Sequence, residues 1–126
     1  MRILLADDQE RVRYGLRALL RQQPGLHVVG EAENAHDLLA LTTVLHPDLV
    51  LLDWHLPDVP GDKVLLSLRQ VAPELPVIVL SGQIGIREAA LEAGASAFFS
   101  KSSPPDRLLD AIRRVVSAST DGRCDT

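Results

Sequence analysis

The sequence predicts an α/β fold, a doubly wound parallel sheet of five strands with helices on both faces. Three observations carry the prediction. Short apolar runs recur along the chain, each bounded by polar residues, as buried parallel strands are. Between them lie longer stretches with apolar residues at helical spacing, several closed by glycine or proline. The 126 residues, 46% apolar and 24% charged, amount to one domain with enough chain to bury a core.

The first strand is Arg2-Ile3-Leu4-Leu5-Ala6, which gives way to Asp7-Asp8. A helix over residues 10–22 follows, with Val12, Leu16, Leu19 and Leu20 toward the core, until Pro24-Gly25 ends it. The second strand covers 26–30, and the helix after it covers 35–45 and is stopped by Pro47. Leu49-Val50-Leu51-Leu52 forms the third strand and runs into Asp53. A loop with Pro57, Pro60 and Gly61 leads into a helix over 62–71. The fourth strand, 77–80, runs into Ser81, and a short helix over 86–93 is closed by Gly94. The fifth strand, 97–100, runs into Lys101. After Ser103-Pro104-Pro105 a last helix reaches residue 117, with Leu108, Leu109, Ile112, Val115 and Val116 at helical spacing. Residues 119–126 are polar and aperiodic and read as a linker or tail rather than structure. There is no internal repeat and no sign of a second domain.

Composition narrows the function. No apolar run approaches the ~20 residues of a transmembrane helix. The chain enters a strand at once without a signal-peptide pattern, so a cytoplasmic location away from membranes is expected. Cys124 is the one cysteine and can form no internal disulfide. A net charge of −4 and 3% aromatic residues argue against this domain gripping nucleic acid directly.

In an open parallel sheet, ligands bind outside the carboxyl ends of the strands. Asp7, Asp8, Asp53, Ser81 and Lys101 all stand at such ends, so the fold would gather them in a single crevice. Neighbouring carboxylates raise one another's pKa unless a cation joins them. A hard divalent ion is the natural relief, because Mg²⁺ combines carboxylates with water and phosphate oxygens. Lys101 adds a point charge suited to phosphate, and Ser81 a hydroxyl. Together they point to phosphoryl transfer with Asp53 as the nucleophile. Each residue has a plainer role when taken alone. Asp7-Asp8 could cap a helix, Asp53 a loop, Ser81 could sit in a turn, and Lys101 could be a solvated charge. Separate plain roles at four strand ends are a poorer account than one site.

Over residues 1–118 the chain resembles the receiver domain of two-component response regulators, in the style of those that precede helix-turn-helix output domains. The motifs that carry the resemblance are Leu4-Leu5-Ala6-Asp7-Asp8, then Leu51-Leu52-Asp53-Trp54-His55-Leu56-Pro57 with Gly61, then Val79-Leu80-Ser81-Gly82, and Gly94-Ala95-Ser96-Ala97-Phe98-Phe99-Ser100-Lys101. The resemblance implies a flavodoxin-like sheet in the order 2-1-3-4-5 and phosphorylation by a sensor histidine kinase. It implies Asp53 as phosphoacceptor, and Asp8 and Asp53 as direct Mg²⁺ ligands, with Mn²⁺ as an alternative ion. The backbone carbonyl of His55 would be a third ligand, and Asp7 would hold a metal-bound water. Ser81 would be the switch hydroxyl, Lys101 its cationic partner, and Phe98 the aromatic switch residue. The implied role is a signalling receiver, not an enzyme, which assists only its own phosphotransfer and dephosphorylation. It would regulate transcription through an attached or partner output domain, reaching DNA only through that domain, and it would be free to form a homodimer.

Several positions depart from the family's pattern. Phe98 has no hydroxyl. Ser102 follows Lys101 where many receivers have a proline after a cis bond, which leaves cis or trans open here. The stretch from Ser81 to Lys101 is shorter than usual, so the fourth helix and the output surface are expected to be atypical. His55 and Gln83 fall where receivers tune the lifetime of the phosphoryl group. His27, His36, His46 and His55 show no metal-ligand spacing. Arg13, Arg17 and Arg21 line one stripe of the first helix and read as a solvated face near where a kinase docks. Other functions fit less well. A phosphatase of the haloacid dehalogenase type would carry an acid where His55 stands. An FMN binder needs a glycine- or hydroxyl-rich phosphate loop, whereas Asp7-Asp8-Gln9 would repel phosphate. The intact set of Asp7, Asp8, Asp53, Ser81 and Lys101 argues against a receiver that signals without phosphorylation.

Overall fold

The computed structural model describes residues 1–124. Its strands are β1 (Arg2–Ala6), β2 (His27–Ala32), β3 (Leu49–Asp53), β4 (Val77–Ser81) and β5 (Ala97–Ser100). They pair in parallel in the order β2-β1-β3-β4-β5, as the family resemblance implies. The helices are α1 (Glu10–Arg21), α2 (Ala35–Leu45), α3 (Gly61–Val71), α4 (Arg87–Glu92) and α5 (Pro105–Cys124). Among the described residues no helix is long and apolar enough to cross a membrane.

Alternation along the strands builds two cores. Leu4, Ala6, Val50, Leu52, Val77 and Val79 face the side covered by α2, α3 and α4. Ile3, Leu5, Leu49, Leu51, Ile78 and Leu80 face α1 and α5. β3 and β4 are buried along their whole length because helices cover both faces, which is why they read as unbroken apolar runs. The chain leaves β1 and β3 in opposite directions along the sheet, toward β2 and β4. Asp7 and Asp53 therefore flank the point where a doubly wound sheet opens its crevice.

The structure departs from the sequence reading in four places. β2 begins at His27 and runs on to Ala32, beyond the expected end at Gly30. A bulge interrupts its pairing with β1, since Ile3 faces Val28 and Leu4 faces Gly30. Gly30 lets α2 pack closely there, since a Cβ on it would lie 2.8 Å from Leu45 Cδ1 and push that side chain aside. On α1, Leu20 is buried and Val12, Leu16 and Leu19 are half-buried, yet Arg13 is buried too, which overturns the solvated-face reading at that position. α4 is shorter than expected and is preceded by a 3-10 turn, Ile84–Ile86, with Gly94 at φ +111° closing the segment. α5 passes residue 117 and reaches Cys124, so most of the expected tail is helical. No proline after Pro105 blocks the helix there. The rest of that tail, 125–126, lies outside the described residues.

Candidate functional site

The ends of β1, β3, β4 and β5 meet at one edge of the sheet. The Asp7 N–H donates to the Ala32 carbonyl at 3.0 Å, extending the β1–β2 ladder one step and burying the Asp7 side chain. Asp8 follows, exposed, and Asp53 closes β3 with 4% of its surface accessible. One carboxylate oxygen from each of Asp7, Asp8 and Asp53 lies within 4.8 Å of the others. Lys101 completes the pocket, its Nζ 2.9 Å from Asp7 Oδ2 and 3.4 Å from Asp53 Oδ1. The His55 N–H donates to Asp53 Oδ1 at 3.2 Å. The Lys101 N–H donates to the Ser81 carbonyl at 2.9 Å, so β4 and β5 hold these two residues side by side. Ser81 is fully buried, and its Oγ accepts the Gln83 N–H at 3.0 Å, which leaves the hydroxyl proton free to donate.

Burial sets the charge states. It pushes the Asp53 carboxyl above the usual carboxylate range. The His55 N–H works against that, the Asp7 charge adds to it, and the attraction of Lys101 does not cancel it. Burial also opposes the charge on Lys101, but the bond to Asp7 and the pull of both acids prevail, and they hold its pKa above the ordinary lysine value. Lys101 is therefore a firm cation at neutral pH.

The donor set fits a hard divalent cation. It is all oxygen, it gathers three carboxylates, and it includes Asp8, whose side chain has no hydrogen-bond partner among the described residues and faces solvent. Such an open oxygen site suits Mg²⁺ or Mn²⁺, with room for water and phosphate oxygens.

Asp7, Asp8, Asp53, Ser81 and Lys101 are thus brought together as the strand ends implied. His55 is exposed beside them. Phe98 lies apart, paired with Val79 and half-buried in the core layer that holds Ile86, Ala90 and Ala93 under α4. No cis peptide occurs among the described residues, so the Lys101–Ser102 bond is trans. Two residues near the site have roles that the sequence does not show. Arg13 donates to the Asp7 carbonyl at 2.6 Å. Asp58, in the loop after Asp53, accepts the Ala35 N–H at 2.8 Å and the His36 N–H at 3.0 Å and so caps α2. These bonds hold the Asp58 carboxyl below its ordinary range. Glu10, Glu31 and Glu33 were the available signal for Arg13, whereas nothing local marks Asp58.

Comparisons with known proteins bear on the family and the fold. A model of the response regulator receiver domain matches residues 3–113. The chain is 34% identical over 116 residues to the uncharacterized transcriptional regulatory protein YxjL of Bacillus subtilis, covering 90% of this chain and 53% of that protein. It is 30% identical over 116 residues to the response regulator protein VraR of Staphylococcus aureus, covering 90% and 56%. Among solved structures, a LuxR-family two-component response regulator from Aurantimonas sp. SI85-9A1 superposes with a TM-score of 0.88 at 34% identity, over 93% of this chain and 85% of that one. The chain spans about half the length of the curated relatives it matches.

Proposed function

The chain belongs to the response regulator receiver family, and on that premise we propose that it is a phosphorylation-controlled switch. Asp53 accepts a phosphoryl group from a sensor histidine kinase, with Mg²⁺ or Mn²⁺ in the acidic pocket. The change is passed to an output domain that regulates transcription. Residues 1–118 are the receiver, and the kinase meets it in the cytoplasm. What supports the reading is one observation: Lys101 bonds Asp7 and reaches Asp53 inside a pocket where three carboxylates crowd together. The names of the relatives, a transcriptional regulatory protein and a LuxR-family regulator, support the output assigned to it.

An Asp53 oxygen attacks phosphorus, the bond from phosphorus to the donor nitrogen breaks, and an acyl phosphate remains on Asp53. Burial strips water from this oxygen before the attack. A bound divalent ion supplies positive charge for the phosphoryl oxygens, and Asp8, Asp53 and the His55 carbonyl are the groups to hold it, with Asp7 acting through a water. Lys101 keeps its bond to Asp7 and turns its remaining donors from Asp53 to the new oxyanion. The Ser81 hydroxyl donates its free proton to another phosphoryl oxygen. As it moves, it vacates space toward β5, where the Phe98 ring can follow. Without a hydroxyl, Phe98 biases the two states through apolar burial alone, and only a difference in contacts between the states transmits a signal.

The test is intact-mass measurement after incubation with acetyl phosphate and Mg²⁺, on the parent and on Asp53→Asn. One added phosphoryl group, labile to hydroxylamine and absent from the variant, is expected. Label retained on Asp53→Asn, or found on a serine, would sink the assignment.

A further inference from the structure

Arg13 is among the few buried charged residues that the structure describes, with 4% of its surface accessible, yet it takes no part in the phosphoryl chemistry. Its guanidinium ties together three segments. Nε bonds Glu31 Oε1 at 2.9 Å, Nη2 bonds Glu10 and lies 3.2 Å from Glu33 Oε1, and Nη1 donates to the Asp7 carbonyl at 2.6 Å. Glu31 and Glu33 flank Ala32, whose carbonyl takes the Asp7 N–H. The backbone of Asp7 is thus gripped on both sides from the end of β2, directly at its N–H and through Arg13 at its carbonyl. That carbonyl shares one planar peptide with the nitrogen of Asp8, so fixing the oxygen orients Asp8. Asp8 needs such help, because its carboxylate has no hydrogen-bond partner among the described residues and still lies within 4.8 Å of Asp7 and Asp53.

We propose that Arg13 is a positioning residue of the acidic pocket, clamping the Asp7–Asp8 peptide so that both carboxylates are set for a divalent cation. The proposal rests on the phosphoryl-transfer reading of the pocket and assigns to α1 a part in its metal affinity. Stability alone would call for the three glutamates. The fourth bond, to the Asp7 carbonyl, has its effect at the site.

The experiment titrates Mg²⁺ into the parent, Arg13→Gln and Arg13→Lys, following Trp54 fluorescence, with a melting curve for each. Arg13→Gln should weaken Mg²⁺ by about tenfold, the low end for groups that orient metal ligands from behind. Arg13→Lys keeps the charge, but one ammonium cannot bond the carbonyl and the glutamates in the fixed fork of a guanidinium. It should therefore recover most of the melting temperature while Mg²⁺ affinity stays weakened. If Arg13→Gln fails to fold, Arg13→Lys decides alone. A folded variant that binds Mg²⁺ like the parent overturns the proposal, as does full recovery of affinity by lysine, which would make charge alone the cause. A parent with no Mg²⁺ response overturns both this proposal and the reading of the pocket. Unchanged variants beside a responsive parent overturn only the role of Arg13.

Discussion

Replacing Asp53 by asparagine should make the metal-free protein more stable at neutral pH. Asp7 and Asp8 each bring a carboxylate oxygen within 4.8 Å of Asp53, while Lys101 lies 3.4 Å away. At an effective dielectric of about 20, each repulsion is worth roughly 3.5 kcal/mol and the attraction roughly 5 kcal/mol. Repulsion thus exceeds attraction by about 2 kcal/mol, of which solvent around the exposed Asp8 removes a part. Asparagine retains an oxygen to accept the His55 N–H and carries no charge to bury, so a gain of about 1–2 kcal/mol is expected, or roughly 3–8 °C in a domain of this size. The sign of the pH dependence follows from the raised pKa of Asp53. Between its unfolded and native values the native carboxyl holds a proton that the unfolded chain has released, so stability falls as pH rises through that window. The advantage of the variant should be full at neutral pH and shrink as pH falls through the native value toward 3.8. Mg²⁺ should reverse the order, since a ligand at about 100 times its Kd adds about 2.7 kcal/mol to the protein that binds it. Thermal melts in EDTA and in Mg²⁺, at neutral pH and in mild acid, test all of this. A variant less stable than the parent in EDTA at neutral pH refutes the electrostatic account, and equal stabilisation of both proteins by Mg²⁺ refutes Asp53 as a ligand.

Three other perturbations probe the same machinery. Ser81→Ala should leave Asp53 open to phosphorylation but remove the amide NMR shifts that beryllofluoride induces around 97–101 in the parent. Parent shifts confined to Asp7, Asp8 and Asp53 would take Phe98 out of the signal path. Asp8→Ala should abolish the Trp54 fluorescence response to Mg²⁺, and undiminished binding would take Asp8 out of the metal site. A Cβ on Gly61 would lie 2.5 Å from Trp54 Cδ2 and 2.8 Å from the Trp54 carbonyl. Gly61→Ala should therefore destabilise by about 1–3 kcal/mol and shift Trp54 emission, whereas an unchanged melt would mean the ring yields freely.

The central strands were legible because burial on both faces leaves them apolar from end to end, so Leu49–Asp53 and the stretch into Ser81 announce themselves. β2 sits at the edge, where Glu31 interrupts the run one position before its last paired residue, Ala32. The pocket was legible for a topological reason: strand ends at a switch point must converge, so Asp7, Asp8, Asp53, Ser81 and Lys101 could be assigned to one crevice without coordinates. Arg13 is hidden because helical spacing sets it beside Arg17 and Arg21, and the partners that make a buried position tolerable, above all the glutamates at the end of β2, are distant in sequence. Asp58 was hidden because it caps a helix that begins 23 residues earlier, and capping signals are local. The end of α5 is not legible because the residues after Val116 are polar and aperiodic, although polarity alone does not stop a helix.

The Asp58 cap has a mechanical consequence for the loop that leaves the phosphoacceptor strand. Asp53 fixes one end of that loop at the sheet and Gly61 the other at α3, while the bonds to Ala35 and His36 pin it between. A tether in the middle divides one closure into two shorter ones, each with fewer conformations to explore. His55 hangs in the first of these spans, so its freedom is already lost when the chain folds. An arriving cation or phosphoryl group then meets a backbone with little left to order, which favours tight association without an added contact. Loosening α2 at its first turn would slacken the acidic pocket from outside, with each of its carboxylates still in place.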